Sequence, residues 1–239
     1  MPKTVIFITC LFLISCTSTT VNNEVITLVT LQNNDLFYRG EITKSSNQTV
    51  FELYNQTEVK PIKLIISSHG GDIEAGLTLG EWVLRNKLNI EVSRLCASSC
   101  ANYVFTAGNQ KYLNKDSVLL WHGSAWSNYD DHKDNKHFRD YIKPLRKREA
   151  DFFAHIGVDN IITTYSHDMT VIELIKRYLG IGYKGYDFSL EDMNKLGVKN
   201  ISILGDDWNW RKYRPERSNW IKRVELNNEY QFTEKRFWL

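Results

Sequence analysis

Residues 62–72 read IKLIISSHGGD: an apolar run, Ile62–Ile66, that stops at Ser67-Ser68-His69 and a pair of glycines before Asp72. A short run this rich in isoleucine and leucine predicts a buried strand, and Gly70-Gly71 supplies the sharp turn that ends it. Asp72 is a good N-cap, and Ile73, Gly76, Leu77, Gly80, Val83 and Leu84 recur behind it at helical spacing. The same order returns downstream. Asn89–Leu95 predicts a second strand, Cys96–Cys100 a small-residue turn, and Ala101–Ala107 an apolar helix stopped by Gly108. Ser117–Trp121 predicts a third strand, with His122-Gly123 at its end. Strand, turn and helix repeated in this way predict an α/β fold with right-handed crossovers and a largely parallel, buried sheet. Sites in such sheets gather at the carboxyl ends of strands, and Gly70-Gly71, Ser99 and His122 all fall there.

On either side the signals are weaker. Val25–Thr30 and Thr49–Leu53 have the β-branched and apolar content of strands. Asp130–His137 reads as a hydrophilic loop, and Lys133–Ile156 as mostly helical with an interruption at Pro144. Val171–Leu179 predicts another helix, and Ser189 caps a further one with Asp192 three residues on. Residues 206–239 differ in composition, with Trp208, Trp210, Trp220 and Trp238 set among Arg and Lys. Their apolar positions lack an amphipathic period, which favours packing on the domain or on another copy over a membrane.

Acyl transfer needs a nucleophile, a base for its proton and donors for the oxyanion. A serine at a helix start has backbone N–H groups and the positive end of the dipole beside it. A histidine, with an ordinary pKa near 6.5, can take the hydroxyl proton and return it to the leaving amine. The residues SSHGGD at 67–72, CASSCANYVFTAG at 96–108 and LLWHG at 119–123 resemble the ClpP-type branch of the ClpP/crotonase superfamily. More narrowly, they look like its exported, ClpP-like members. The resemblance implies a repeated ββα spiral. Aligned on Ala107-Gly108, it implies Ser99 as nucleophile, His122 as base and the amides of Gly70 and Cys100 as oxyanion donors. It offers Asp187 as the acid that orients the imidazole, with Asp168 behind it and a Ser–His dyad as the alternative. Position 69 is His where that family has Pro. The helix after His122, about residues 133–156, would be the surface of a homo-oligomer.

The start of the chain decides the compartment. Lys3 precedes an apolar run, Thr4–Ile14, too short to span a bilayer and of the size of a signal h-region. It closes on Leu13-Ile14-Ser15-Cys16, which resembles the lipobox of bacterial lipoproteins. That resemblance implies cleavage before Cys16 and lipid on its sulfur; a plain signal peptide cut further along is the alternative. The expected division is a lipoprotein signal over 1–15, a polar tether over 16–24, a ClpP-like domain over 25–205 and a Trp-rich C-terminal extension over 206–239. Thr17 is not the Asp of an inner-membrane retention signal, so the outer membrane is the default. With 30 Lys and Arg against 28 Asp and Glu, nothing points to nucleic acid, and the 42% apolar content excludes wholesale disorder. Cys96 and Cys100 remain in the folded body, as a disulfide suited to an oxidising compartment or as two buried thiols. Two sulfurs without a neighbouring His do not make a zinc site, and no cofactor is expected.

Together these readings predict an ATP-independent serine peptidase of the cell envelope, facing the periplasm, that acts on peptides or unfolded segments. No Walker-type glycine loop is present. The rivals are a non-catalytic peptide-binding or assembly lipoprotein on the same scaffold, and acyl-CoA chemistry of the crotonase type.

Overall fold

The structure, a computed structural model, describes residues 27–127, 136–165, 176, 179 and 182–231. The signal segment, Cys16, the tether, Asp168, Trp238 and most of the helix expected over Val171–Leu179 lie outside them.

Strands β1 (Leu28–Gln32), β2 (Asp35–Arg39), β3 (Lys63–Ser68), β4 (Asn89–Ala97), β5 (Lys111–Asn114), β6 (Val118–Leu120) and β8 (Ile201–Leu204) form one sheet. Its order is β1-β2-β3-β4-β5-β8, and every pairing except the β1–β2 hairpin is parallel. Nine-residue β4 is bordered on one side by two short strands end to end: β5 pairs with Ile90–Val92, and β6 with Leu95–Ala97. Strands β7 (Gly185–Phe188) and β9 (Ile221–Val224) make a second, parallel pair. The chain is therefore a mixed α/β fold built on a mostly parallel sheet.

Helix α2 (Ile73–Arg85) starts where Asp72 accepts from the Ala75 amide at 2.7 Å, and it buries Ala75, Leu77, Leu79, Trp82 and Val83. Gly76 and Gly80, one turn apart, form a groove on this helix. A Cβ at Gly76 would stand 2.6 Å from Ser99 Cβ, and one at Gly80 would stand 2.7 Å from the Tyr103 carbonyl oxygen. The segment after β4 packs into that groove. It is a π-helix, Cys100–Phe105, with all six residues buried.

Residues 49–53 are not a strand. They lie inside helix α1 (Lys44–Gln56), begun by Thr43, whose hydroxyl accepts from the Ser46 amide at 3.1 Å. Tertiary packing outweighs the β-branched composition here. Asn47, Val50, Phe51 and Tyr54 share one helical face. Asn47 donates to the Ala75 carbonyl at 2.8 Å, and the rings of Phe51 and Tyr54 sit 4.9 and 5.2 Å from that of Trp82. Pro144 is the second residue of helix α3 (Lys143–Ile156), and a π-helix, Phe138–Ile142, runs directly into it, so the helical path continues through the proline rather than restarting there. Arg148 ties α3 to α2 through two 2.8 Å bonds to Glu81.

Candidate active site

Three loops meet at the carboxyl ends of β3, β4 and β6. The β3–β4 ladder is shifted after Ile66, so that Ile66 lies opposite Val92 but Ser68 opposite Cys96. The shift brings the Gly70-Gly71 turn against the end of β4. A Cβ at Gly70 would stand 2.6 Å from the Ala97 carbonyl oxygen, 2.6 Å from Ser98 Cβ and 3.0 Å from Ser99 N. Gly70 also has φ +95, a conformation that side chains rarely adopt. On the other side, Ala97 lies opposite Leu120, and the Ser98 amide donates to the Leu120 carbonyl at 2.9 Å. His122 follows two residues after the end of β6 and is exposed. The turn 98–99, the glycine turn and the segment carrying His122 therefore share one edge. His69 is exposed beside them.

The expected residues differ in what they do there. Ser99 is 1% exposed, and its hydroxyl donates to the Gly71 carbonyl at 2.9 Å. Ser98 is half-buried and has φ +55. The Gly70 amide, expected as an oxyanion donor, instead donates to Ser68 Oγ at 3.0 Å. Cys100 is wholly buried and bonded to Cys96, with Cα atoms 5.2 Å apart, so a covalent bridge spans the serine pair. Closing so short a loop, four residues in separation, stabilises by about 2 kcal/mol. Reduction with dithiothreitol should lower the urea midpoint accordingly; equal midpoints with and without reductant would show that the bridge contributes nothing.

Asp187 is not free to orient the imidazole. Trp121 and Tyr186 form an antiparallel bridge through bonds of 2.9 and 2.8 Å, which sets His122 level with Gly185 and Leu120 level with Asp187. No carboxylate stands at 185, where a Cβ would meet Leu120 Cδ2 at 2.6 Å. The Asp187 carboxylate is fully buried and accepts from Arg211 at 2.7 and 2.8 Å, Arg223 at 2.9 and 3.0 Å, and Trp210 Nε1 at 2.9 Å. It is a structural anion holding residues from the C-terminal segment. That segment packs back on the domain: Trp210 is 1% exposed, and Trp208 Nε1 donates to the Ser117 carbonyl at 2.7 Å.

Sequence reasoning missed the support beneath His122. Asn102 donates to the Gly123 carbonyl at 2.8 Å, Arg146 to the Ala125 carbonyl at 3.0 Å, and the Ala125 amide to Glu149 at 3.1 Å. Glu149 is fully buried, and burial pushes its pKa up to about 7. Burial and the neighbouring Glu149 charge push the Tyr103 hydroxyl well above its ordinary range. Nothing in a sequence marks a glutamate on an amphipathic helix as one that faces inward.

Other polar features lie apart from this edge. A cavity of 430 Å³ sits at the amino ends of β4 and β5, lined by Lys87, Lys111, His155 and Lys199 among others. Lys111 there donates to the Gly108 and Lys199 carbonyls, and burial lowers its pKa to about 8. Among the described residues, no group of three or more His, Cys, Asp or Glu could hold a metal ion, and no helix is long and apolar enough to cross a membrane.

Residues 19–156, more than half of the chain, match the family described as Clp protease. Among solved structures, ClpP1 from Listeria monocytogenes is similar at 17% identity and a TM-score of 0.48, over 72% of this chain and 92% of that one. No curated protein is similar enough in sequence to register as a relative.

Proposed function

Since the chain belongs to the Clp protease family, we propose that it is an ATP-independent serine peptidase that cleaves peptides or unfolded segments in the bacterial cell envelope. The observation that carries this reading is the meeting of the Ser98-Ser99 turn, the Gly70-Gly71 turn and His122 on one sheet edge. A serine hydroxyl attacks the scissile carbonyl, and His122 takes its proton and passes it to the leaving amine. Amides at the start of the buried helix stabilise the oxyanion. Asp187, engaged by two arginines, does not serve as the acid of this site. Envelope location is supported by the LISC stretch at 13–16 and by the Cys96–Cys100 bridge, which suits an oxidising compartment. Lipid on Cys16 would hold the domain at the outer membrane, and copies would assemble into a homo-oligomer through the surface around α3.

The rival reading, a non-catalytic peptide-binding lipoprotein on the same scaffold, draws on the engaged Asp187. A fluorophosphonate probe separates the two. The full chain is expected to be labelled covalently at the 98–99 turn, and His122→Ala should slow labelling by about a thousandfold. A wild-type chain that stays unlabelled would favour the binding protein.

A further inference from the structure

We infer that the attacking hydroxyl belongs to Ser98, and that Ser99 is a structural residue supplying its amide to the oxyanion. This rests on the peptidase reading above. Three independent observations carry it.

The first is backbone conformation. Among the described residues, five non-glycine residues have positive φ. Three are asparagines, which tolerate it, and Lys87 follows the end of α2, where left-handed residues are common. Ser98, at φ +55, stands where a strand gives way to a helix at the carboxyl edge of a parallel sheet. Strained non-glycine residues persist where the surroundings over-determine them, and they cluster at reacting centres. Here the determinants are the Leu120 carbonyl holding the Ser98 amide, the bridge spanning 96–100, and Gly70 packed against Ser98 Cβ.

The second is access. Ser99 points inward. It is 1% exposed, its hydroxyl is held by the Gly71 carbonyl, and its Cβ fills the groove left by Gly76. A carbonyl carbon could reach that oxygen only after the turn had left the core. Ser98 is half-buried beside a glycine whose missing side chain leaves room above both the Ser98 Cβ and the Ser99 amide.

The third is register. Counting back from Ala107-Gly108 along an α-helix reaches Ser99. The helix is not α-helical throughout: Cys100–Phe105 is a π-helix. A π-bulge takes up one extra residue inside a helix and is frequent at functional sites. The same place at the helix start therefore falls one residue earlier, on Ser98.

Ser98 Oγ bonds to the scissile carbonyl carbon as its proton passes to the His122 imidazole. The oxyanion lies at the Ser99 N–H, the first amide of the helix, which intrahelical bonding leaves without an acceptor. Collapse breaks the C–N bond, and the imidazolium gives its proton to the amine. Water then repeats the sequence on the acyl-serine ester and restores Ser98.

The test is to react the full chain with a fluorophosphonate and locate the adduct by fragmenting the peptide that contains both serines. The adduct is expected on Ser98. Ser98→Ala should lower the labelling rate by about a thousandfold or more. Because alanine is disfavoured at positive φ, Ser98→Gly serves as a second variant that keeps the turn and lacks the hydroxymethyl group; it should be equally unreactive while unfolding at the wild-type urea midpoint or above. Ser99→Ala keeps the amide and loses the bond to the Gly71 carbonyl, so it should slow labelling by up to about tenfold, far less than Ser98→Gly. An adduct on Ser99, or undiminished labelling of Ser98→Gly, would overturn the assignment and leave the peptidase reading intact. An unlabelled wild type would overturn both.

Discussion

Asp187→Ala is expected to lower the free energy of unfolding by about 3 kcal/mol, because it leaves two guanidiniums facing each other around an emptied site. The carboxylate is fully buried and makes five hydrogen bonds, to Arg211, Arg223 and Trp210. Removing one partner of a buried charge cluster costs more than the pair contributes net, since the survivors keep their desolvation cost. The arginine side chains are 27% and 35% exposed, so water relieves part of that cost and the lower end of the usual range applies. A catalytic acid would behave otherwise. Replacing a triad aspartate by asparagine leaves geometry intact and lowers turnover by about ten-thousandfold. Here Asp187→Asn should shift the urea midpoint downward while labelling of the folded protein proceeds at nearly the wild-type rate. A stable Asp187→Asn variant with ten-thousandfold slower labelling would restore the triad.

The second large effect concerns pH. Burial raises the Glu149 pKa from 4.5 to about 7. The folded state therefore holds a proton that the unfolded chain releases above pH 4.5. Its stabilising effect is fully present below pH 4.5 and is lost as pH rises through about 7. Between pH 5 and pH 8 the group should remove about 2–3 kcal/mol of stability. Glutamine can still accept from the Ala125 amide, so Glu149→Gln should flatten this part of the pH profile. Urea unfolding of both proteins at pH 5 and 8 reads the effect directly. Parallel profiles would mean that Glu149 is ionised throughout. The same carboxyl group holds the Ala125 amide through Oε2, three residues past His122, so the imidazole-bearing loop is anchored on a group that titrates near 7.

The parts of the fold that were legible carry local and redundant signals. Strand β3 and helix α2 are marked by an apolar run, a glycine turn and an Asp72 cap that the structure uses as a cap. Strands β4 and β6 and the Ser189 cap are similarly explicit. What misled was whatever depends on distant partners. Residues 49–53 are helical because Phe51 and Tyr54 meet Trp82. Strand β5 escapes notice because its Lys111 is buried, its charge held by two carbonyls that no sequence window contains. The site followed the same rule. The convergence of three loops could be read from motif order. The choice between adjacent serines could not, because a π-turn changes the residue count without changing composition. Asp187 looked available because its arginines lie 24 and 36 positions further on.

Those arginines bear on how the chain is made. Strand β7 finds its neighbour β9 only at 221–224, and the charge at Asp187 is neutralised only by side chains at 211 and 223. A nascent chain that has emerged as far as residue 205 therefore carries the whole large sheet with a naked carboxylate on its flank. Residues 211–224 work as a latch, and the sheet around His122 reaches its final form only after that segment has been made and has closed on Asp187.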